Sequence, residues 1–72
     1  MANMVRTLRM QKGMTQEELA LRSGLSRLSI VSIESNGLAR AKASTVVALA
    51  ESLGVDAGFL FAESVNHEEQ AK

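Results

Sequence analysis

Arg27 follows directly on Ser26 in a stretch that reads Ser-Gly-Leu-Ser-Arg-Leu-Ser-Ile over residues 23–30. The pattern puts Arg27 in the first turn of a helix, where a positive charge opposes the helix dipole and an acid would be slightly favoured. A guanidinium there has two readings. One is a solvated surface arginine. The other uses its planar fork of donors, which can bond guanine O6 and N7 together and contributes about 1–3 kcal/mol of discrimination against other bases. Catalytic and metal chemistry find much less support. The chain has one histidine, His67, in a polar tail, and no cysteine. There is no second histidine to share a metal, no nucleophile–base–orienter set and no phosphate-cradling glycine loop. No metal, no cofactor and no enzymatic activity are therefore expected.

Two helix starts flank this arginine. Thr15 precedes Gln16 and has Glu18 three places on, the pattern of a capping box. Ser26 opens the second helix after a single Ser23-Gly24 break. Two short helices on so tight a link must cross, which leaves the second with one face outward. This reading gives helix 2 over about Gln16–Ser23, with Leu19 and Ala20 inward, and helix 3 over about Arg27–Ser35, with Ile30 and Ile33 inward. Asn36-Gly37 ends helix 3, since both residue types tolerate the left-handed conformation. Helix 1 runs from an Asn3 cap to about Lys12, with Val5 and Leu8 inward and Gly13 as its stop. Residues 38–43 read as a loop with a soft boundary. Ser44 looks like the cap of helix 4, in which Val46, Leu49, Ala50 and Leu53 recur at helical spacing up to Gly54. Asp56 can cap a short helix 5, where Leu60 closes the core. The fold class is therefore all-α, a compact five-helix bundle with a helix-turn-helix in helices 2 and 3. One domain covers 1–63, and 64–72 is a polar C-terminal tail expected to fray.

Bulk properties agree with a small domain. Seventy-two residues bury only about 60% of their unfolded surface, so stability is marginal unless helices pack well or copies associate. The absence of cysteine fits a reducing cytoplasm, and no signal peptide or membrane span is visible. The zero net charge hides an asymmetry. Residues 1–42 hold seven Lys or Arg against three Glu, +4, and residues 43–72 hold one Lys against five acids, −4. A basic part facing a polyanion is one reading, and ordinary scatter on a small surface is the other.

The chain resembles the lambda-repressor-like helix-turn-helix family, the Cro and xenobiotic-response-element type of regulators. The resemblance runs from about Val5 to Phe61. It rests on Leu8-Arg9, Met14-Thr15-Gln16-Glu17-Glu18-Leu19-Ala20, Gly24-Leu25-Ser26, Ile30, Ile33-Glu34, Asn36-Gly37, and Leu49-Ala50 followed by Leu53-Gly54-Val55. It implies that helix 3 is a recognition helix, with Arg27, Leu28 and Ser32 at positions that meet base edges. Gln16 would bond a DNA phosphate at the positive end of helix 2. Ser26, Ser29, Arg40 and Lys42 join it as backbone contacts, solvated loop charges being the alternative for the last two. Arg9 and Glu34 match a structural ion pair tying helix 1 to the end of helix 3.

Leu28 and Val31 lie outward beside Arg27. Leu28 could pack on a thymine methyl, although single exposed apolar residues need no explanation. The face is poor in hydrogen-bonding groups, so discrimination would be modest or would lean on DNA shape. Phe59 and Phe61, with Val65, exceed what a terminal helix can bury and read as a dimer surface. The expectation is a sequence-specific, DNA-binding transcriptional regulator that binds a pseudo-palindromic operator as a homodimer through residues 27–35. The alternative is a protein-interaction module of the same fold, antitoxin- or adaptor-like, with a protein partner in place of DNA.

Overall fold

The computed structural model describes residues 4–62. The expected Asn3 cap, the Val65 contact, His67 and the tail 64–72 lie outside them. Four helices, α1 (Met4–Gln11), α2 (Gln16–Ser23), α3 (Arg27–Asn36) and α4 (Ala43–Leu53), are followed by α5, which begins at residue 57 and is described to 62. No strand occurs among the described residues. The all-α class and the five-helix bundle stand as expected.

The two ends of α2 follow from side-chain chemistry. Thr15, in extended conformation, accepts the Glu18 N–H on its hydroxyl at 3.0 Å. The reciprocal half of the anticipated capping box is replaced: the Glu18 carboxylate accepts instead from Arg22, one turn on, at 3.1 Å. Gly24 ends the helix at φ +77°, a conformation that needs no Cβ, and the Gly24 and Leu25 N–H groups both return to the Ala20 carbonyl. Ser26 then caps α3 by accepting the Ser29 N–H at 3.1 Å.

Asn36 remains helical, and Gly37 alone makes the break, at φ +87° and ψ −171°. That pair of angles is essentially restricted to glycine. It turns the chain so that Leu38, read from sequence as a loop residue, is buried. The Ala41 N–H bonds the Leu38 carbonyl and closes this turn. Helix α4 consequently starts earlier than expected. Its N-cap is Lys42, extended at φ −70° and ψ 153° and without a side-chain capping bond, while Ser44 lies inside the first turn.

The core gathers Val5, Leu19, Ile30, Val46, Leu49, Leu53 and Leu60, all essentially fully buried, with Met14 and Leu38 from the connecting segments. Leu8 is only partly buried and packs on its edge. Helix α2 packs on both α3 and α4, and α1 packs on α3 and α4. Each large aliphatic side chain contributes about 1.5–3 kcal/mol by leaving water. This packing holds α3 from its inner side and leaves its outer side to solvent.

Candidate nucleic-acid interface

Helix α3 divides cleanly by position. Ile30, Ile33 and Glu34 are buried. Leu28, Val31, Ser32 and Ser35 are exposed and recur at i, i+3, i+4 and i+7, one stripe of the helix. Leu28 is 81% exposed and Val31 36%. Arg27, also exposed, stands at the first helical position, adjacent to this stripe. Ser35 was not among the residues singled out from sequence. Its spacing of seven from Leu28 is the signal that finds it.

The hydroxyls on this face are partly committed. Ser26 accepts the Ser29 N–H and donates to Ser29 Oγ at 3.0 Å, so its hydrogen-bonding serves the cap. Ser29 Oγ keeps its own hydrogen. Ser32 Oγ accepts from the Asn36 amide at 3.3 Å, which leaves the Ser32 hydroxyl hydrogen for an outward acceptor.

Among the described residues, two open depressions border α3. One is lined by Ser29, Ser32 and Asn36 from the helix and by Arg40, Lys42 and Thr45 from the following loop and α4. It brings two of the expected base-edge and backbone groups, Ser32 and Ser29, to the two loop cations. The second is lined by Arg6, Arg9, Gln16, Glu34 and Ser35. Gln16 is therefore separated from Arg40 and Lys42, on a different border of the helix.

The second depression is built on a network. Arg9 Nε donates to Glu34 Oε2 at 2.6 Å and Arg9 Nη2 to Glu34 Oε1 at 3.1 Å, a bidentate pair. Arg9 Nη1 donates to the Met14 carbonyl at 2.7 Å. The Arg9 and Glu34 side chains are only 12% and 5% exposed, so the pair is largely removed from water. Charge-assisted, bidentate bonding offsets the desolvation of two buried charges. Gln16 Nε2 also donates to Glu34 Oε1, at 3.1 Å. In the free chain the Gln16 amide is thus directed to a carboxylate, with half of its donor capacity used.

Among the described residues no group of three or more histidine, cysteine, aspartate or glutamate side chains could hold a metal ion, and no helix is long and apolar enough to cross a membrane. Compared with models of known protein families, residues 5–60 match one described as helix-turn-helix. No curated protein and no solved structure matches the chain.

Proposed function

A match over that span means that the chain belongs to the helix-turn-helix family, a family of DNA-binding transcription regulators, and from this premise we propose that it is a sequence-specific regulator that reads a pseudo-palindromic operator as a homodimer. The observation that carries the reading is the division of α3. Its inner side is fixed by the core and by Glu34, while Arg27, Leu28 and Ser32 are exposed, and Ser32 lines one depression together with the exposed cation Arg40 and with Lys42. In this reading Arg27 reads guanine, Leu28 packs on a thymine methyl and Ser32 donates its free hydroxyl hydrogen to a base edge. Gln16, Ser29, Arg40 and Lys42 hold the phosphates, and Ser26 serves by keeping the start of α3 in shape.

Phe59 and Phe61, 48% and 36% exposed beside the buried Leu60, supply the apolar surface of the dimer. Two copies related by a two-fold axis would set their α3 helices about 34 Å apart, one turn of duplex. One copy measures 35 × 22 × 21 Å, a size that allows this spacing. The domain spans 1–63 and works without metal or cofactor in the cytoplasm.

Selection of bound fragments from random-sequence DNA tests the proposal in one step. A recovered motif with two half-sites about 10 base pairs apart supports it. Binding should also fall on the order of ten- to a hundredfold between about 50 and 200 mM salt, through displacement of counterions by a few cations. The second reading, a protein-interaction module, has the exposed Leu21, Leu28 and Val31 in its favour. It requires that no motif be recovered and that a protein partner bind with little dependence on salt.

A further inference from the structure

Glu34 has a second acceptor role that its ion pair does not require. Its Oε1 receives both Arg9 Nη2 and Gln16 Nε2, each at 3.1 Å. Gln16 is the first residue of α2 and is half-buried. An amide side chain presents an oxygen at one end and an NH2 at the other, and rotation by half a turn exchanges them. A phosphate accepts from the NH2 and repels the oxygen. The Glu34 carboxylate can only accept, so it holds the NH2 end and excludes the flipped amide. The second hydrogen on Nε2 diverges from the first and cannot reach the same oxygen. It is left for an outside acceptor, next to the backbone N–H groups of the first turn of α2. Thr15 takes the Glu18 N–H, and the first intrahelical bond is Leu19 N–H to the Thr15 carbonyl, so the Gln16 and Glu17 N–H groups precede the helical ladder.

We propose that Glu34 is a positioning residue for DNA binding: it presets the Gln16 amide so that one N–H faces a phosphate at the start of α2. Arg9 neutralises Glu34, so the carboxylate can stand beside a phosphate without net repulsion. The inference rests on the reading of Gln16 as a phosphate contact.

A double-mutant cycle on the full chain tests it, with a random-sequence duplex as the probe, because a phosphate contact does not depend on sequence. Gln16→Ala should weaken binding roughly tenfold, the effect of one hydrogen bond to a charged group. Its salt slope should be unchanged, since a neutral donor displaces no counterion. Glu34→Asp keeps the charge opposite Arg9 but withdraws the oxygen from Gln16. It should weaken binding about as much alone and add almost nothing in the Gln16→Ala background. Equal losses in both backgrounds would mean that Glu34 acts on the fold alone, and the proposal would fail while the Gln16 contact survived. An unchanged affinity in Gln16→Ala would remove the contact itself, and the proposal with it. NMR of the unmutated chain decides the case should Glu34→Asp not fold. One Gln16 side-chain amide proton should resist exchange before DNA is added, and the other should shift on titration. Two equivalent, unprotected protons would overturn the assignment.

Discussion

In the proposed function, Arg27 is the residue on which discrimination between sequences would depend most. It is exposed, at the first position of α3, and no acid stands in the first turn to complement the dipole there. Arg27→Ala should leave the fold intact, or stabilise it by a few tenths of a kcal/mol by removing an unfavourable charge–dipole contact. It should reduce the preference for the selected motif over random DNA by about 1–3 kcal/mol per half-site. Competition binding measures the second effect and urea unfolding the first. An unchanged preference would mean that α3 does not read through this residue. Glu34 belongs to the opposite class. Glu34→Ala leaves the Arg9 guanidinium largely buried without its partner and should lower stability by about 3 kcal/mol, visible as a large fall in the unfolding midpoint. The Arg9–Glu34 pair is legible in the sequence through the resemblance, because both residues sit at fixed places in it. The Gln16–Glu34 bond is not legible. It joins residues on two different helices, across the break at Gly24–Ser26, so periodicity within one helix does not relate them and only the crossing of α2 and α3 brings them together. The bond from Arg9 to the Met14 carbonyl, five residues on, is likewise not legible, because the turn that leaves α1 forms it.

At the scale of the helices, local chemistry sets some boundaries and tertiary packing sets others. Helix α2 could be read to the residue because a threonine hydroxyl closes one end and a glycine the other. The start of α4 could not. Ser44 offered a hydroxyl of the right type, but the Gly37 break and the burial of Leu38 fix the chain two residues earlier and make Lys42 the cap. A lysine cannot accept a hydrogen bond from the helix N–H groups and adds a like charge to the positive end of the dipole. The helix is therefore less stable than it could be, at a position expected to face DNA phosphates. Lys42→Asp separates the two demands. It should cap α4 and raise the stability of the free protein by about 1 kcal/mol. It should also weaken DNA binding and lower the salt slope by about one unit for each lysine that met a phosphate. Gain in thermal midpoint together with loss in binding is the expected pair of results. A variant that binds as tightly as the original with the same salt slope would place Lys42 away from the duplex.

At the scale of the whole molecule, the proposed dimer has to bring two outward faces into register. A chain of 72 residues has a small core, and among the described residues of α5 Leu60 alone is fully buried in it. Its neighbours Phe59 and Phe61 remain at the surface, although two phenylalanines bring much more apolar area than a short terminal helix needs for closure. Their burial between two copies would also add stability that rises with concentration. Both residues were legible as surplus in the sequence, since a short helix can turn only one of three consecutive large apolar residues fully inward. What sequence could not supply is the geometry of the contact, which depends on how α5 is held on the bundle. Replacing both by serine, Phe59→Ser with Phe61→Ser, leaves Leu60 in the core and should leave the monomer folded. Equilibrium sedimentation should then find a monomer at concentrations where the original chain is a dimer. Binding to the two-half-site motif should weaken by more than tenfold, because the second half-site no longer benefits from the effective concentration that linkage provides. Binding to a single half-site should stay nearly constant. If the doubly substituted chain still sediments as a dimer, the copies meet elsewhere, and the α5 surface must be assigned a different role.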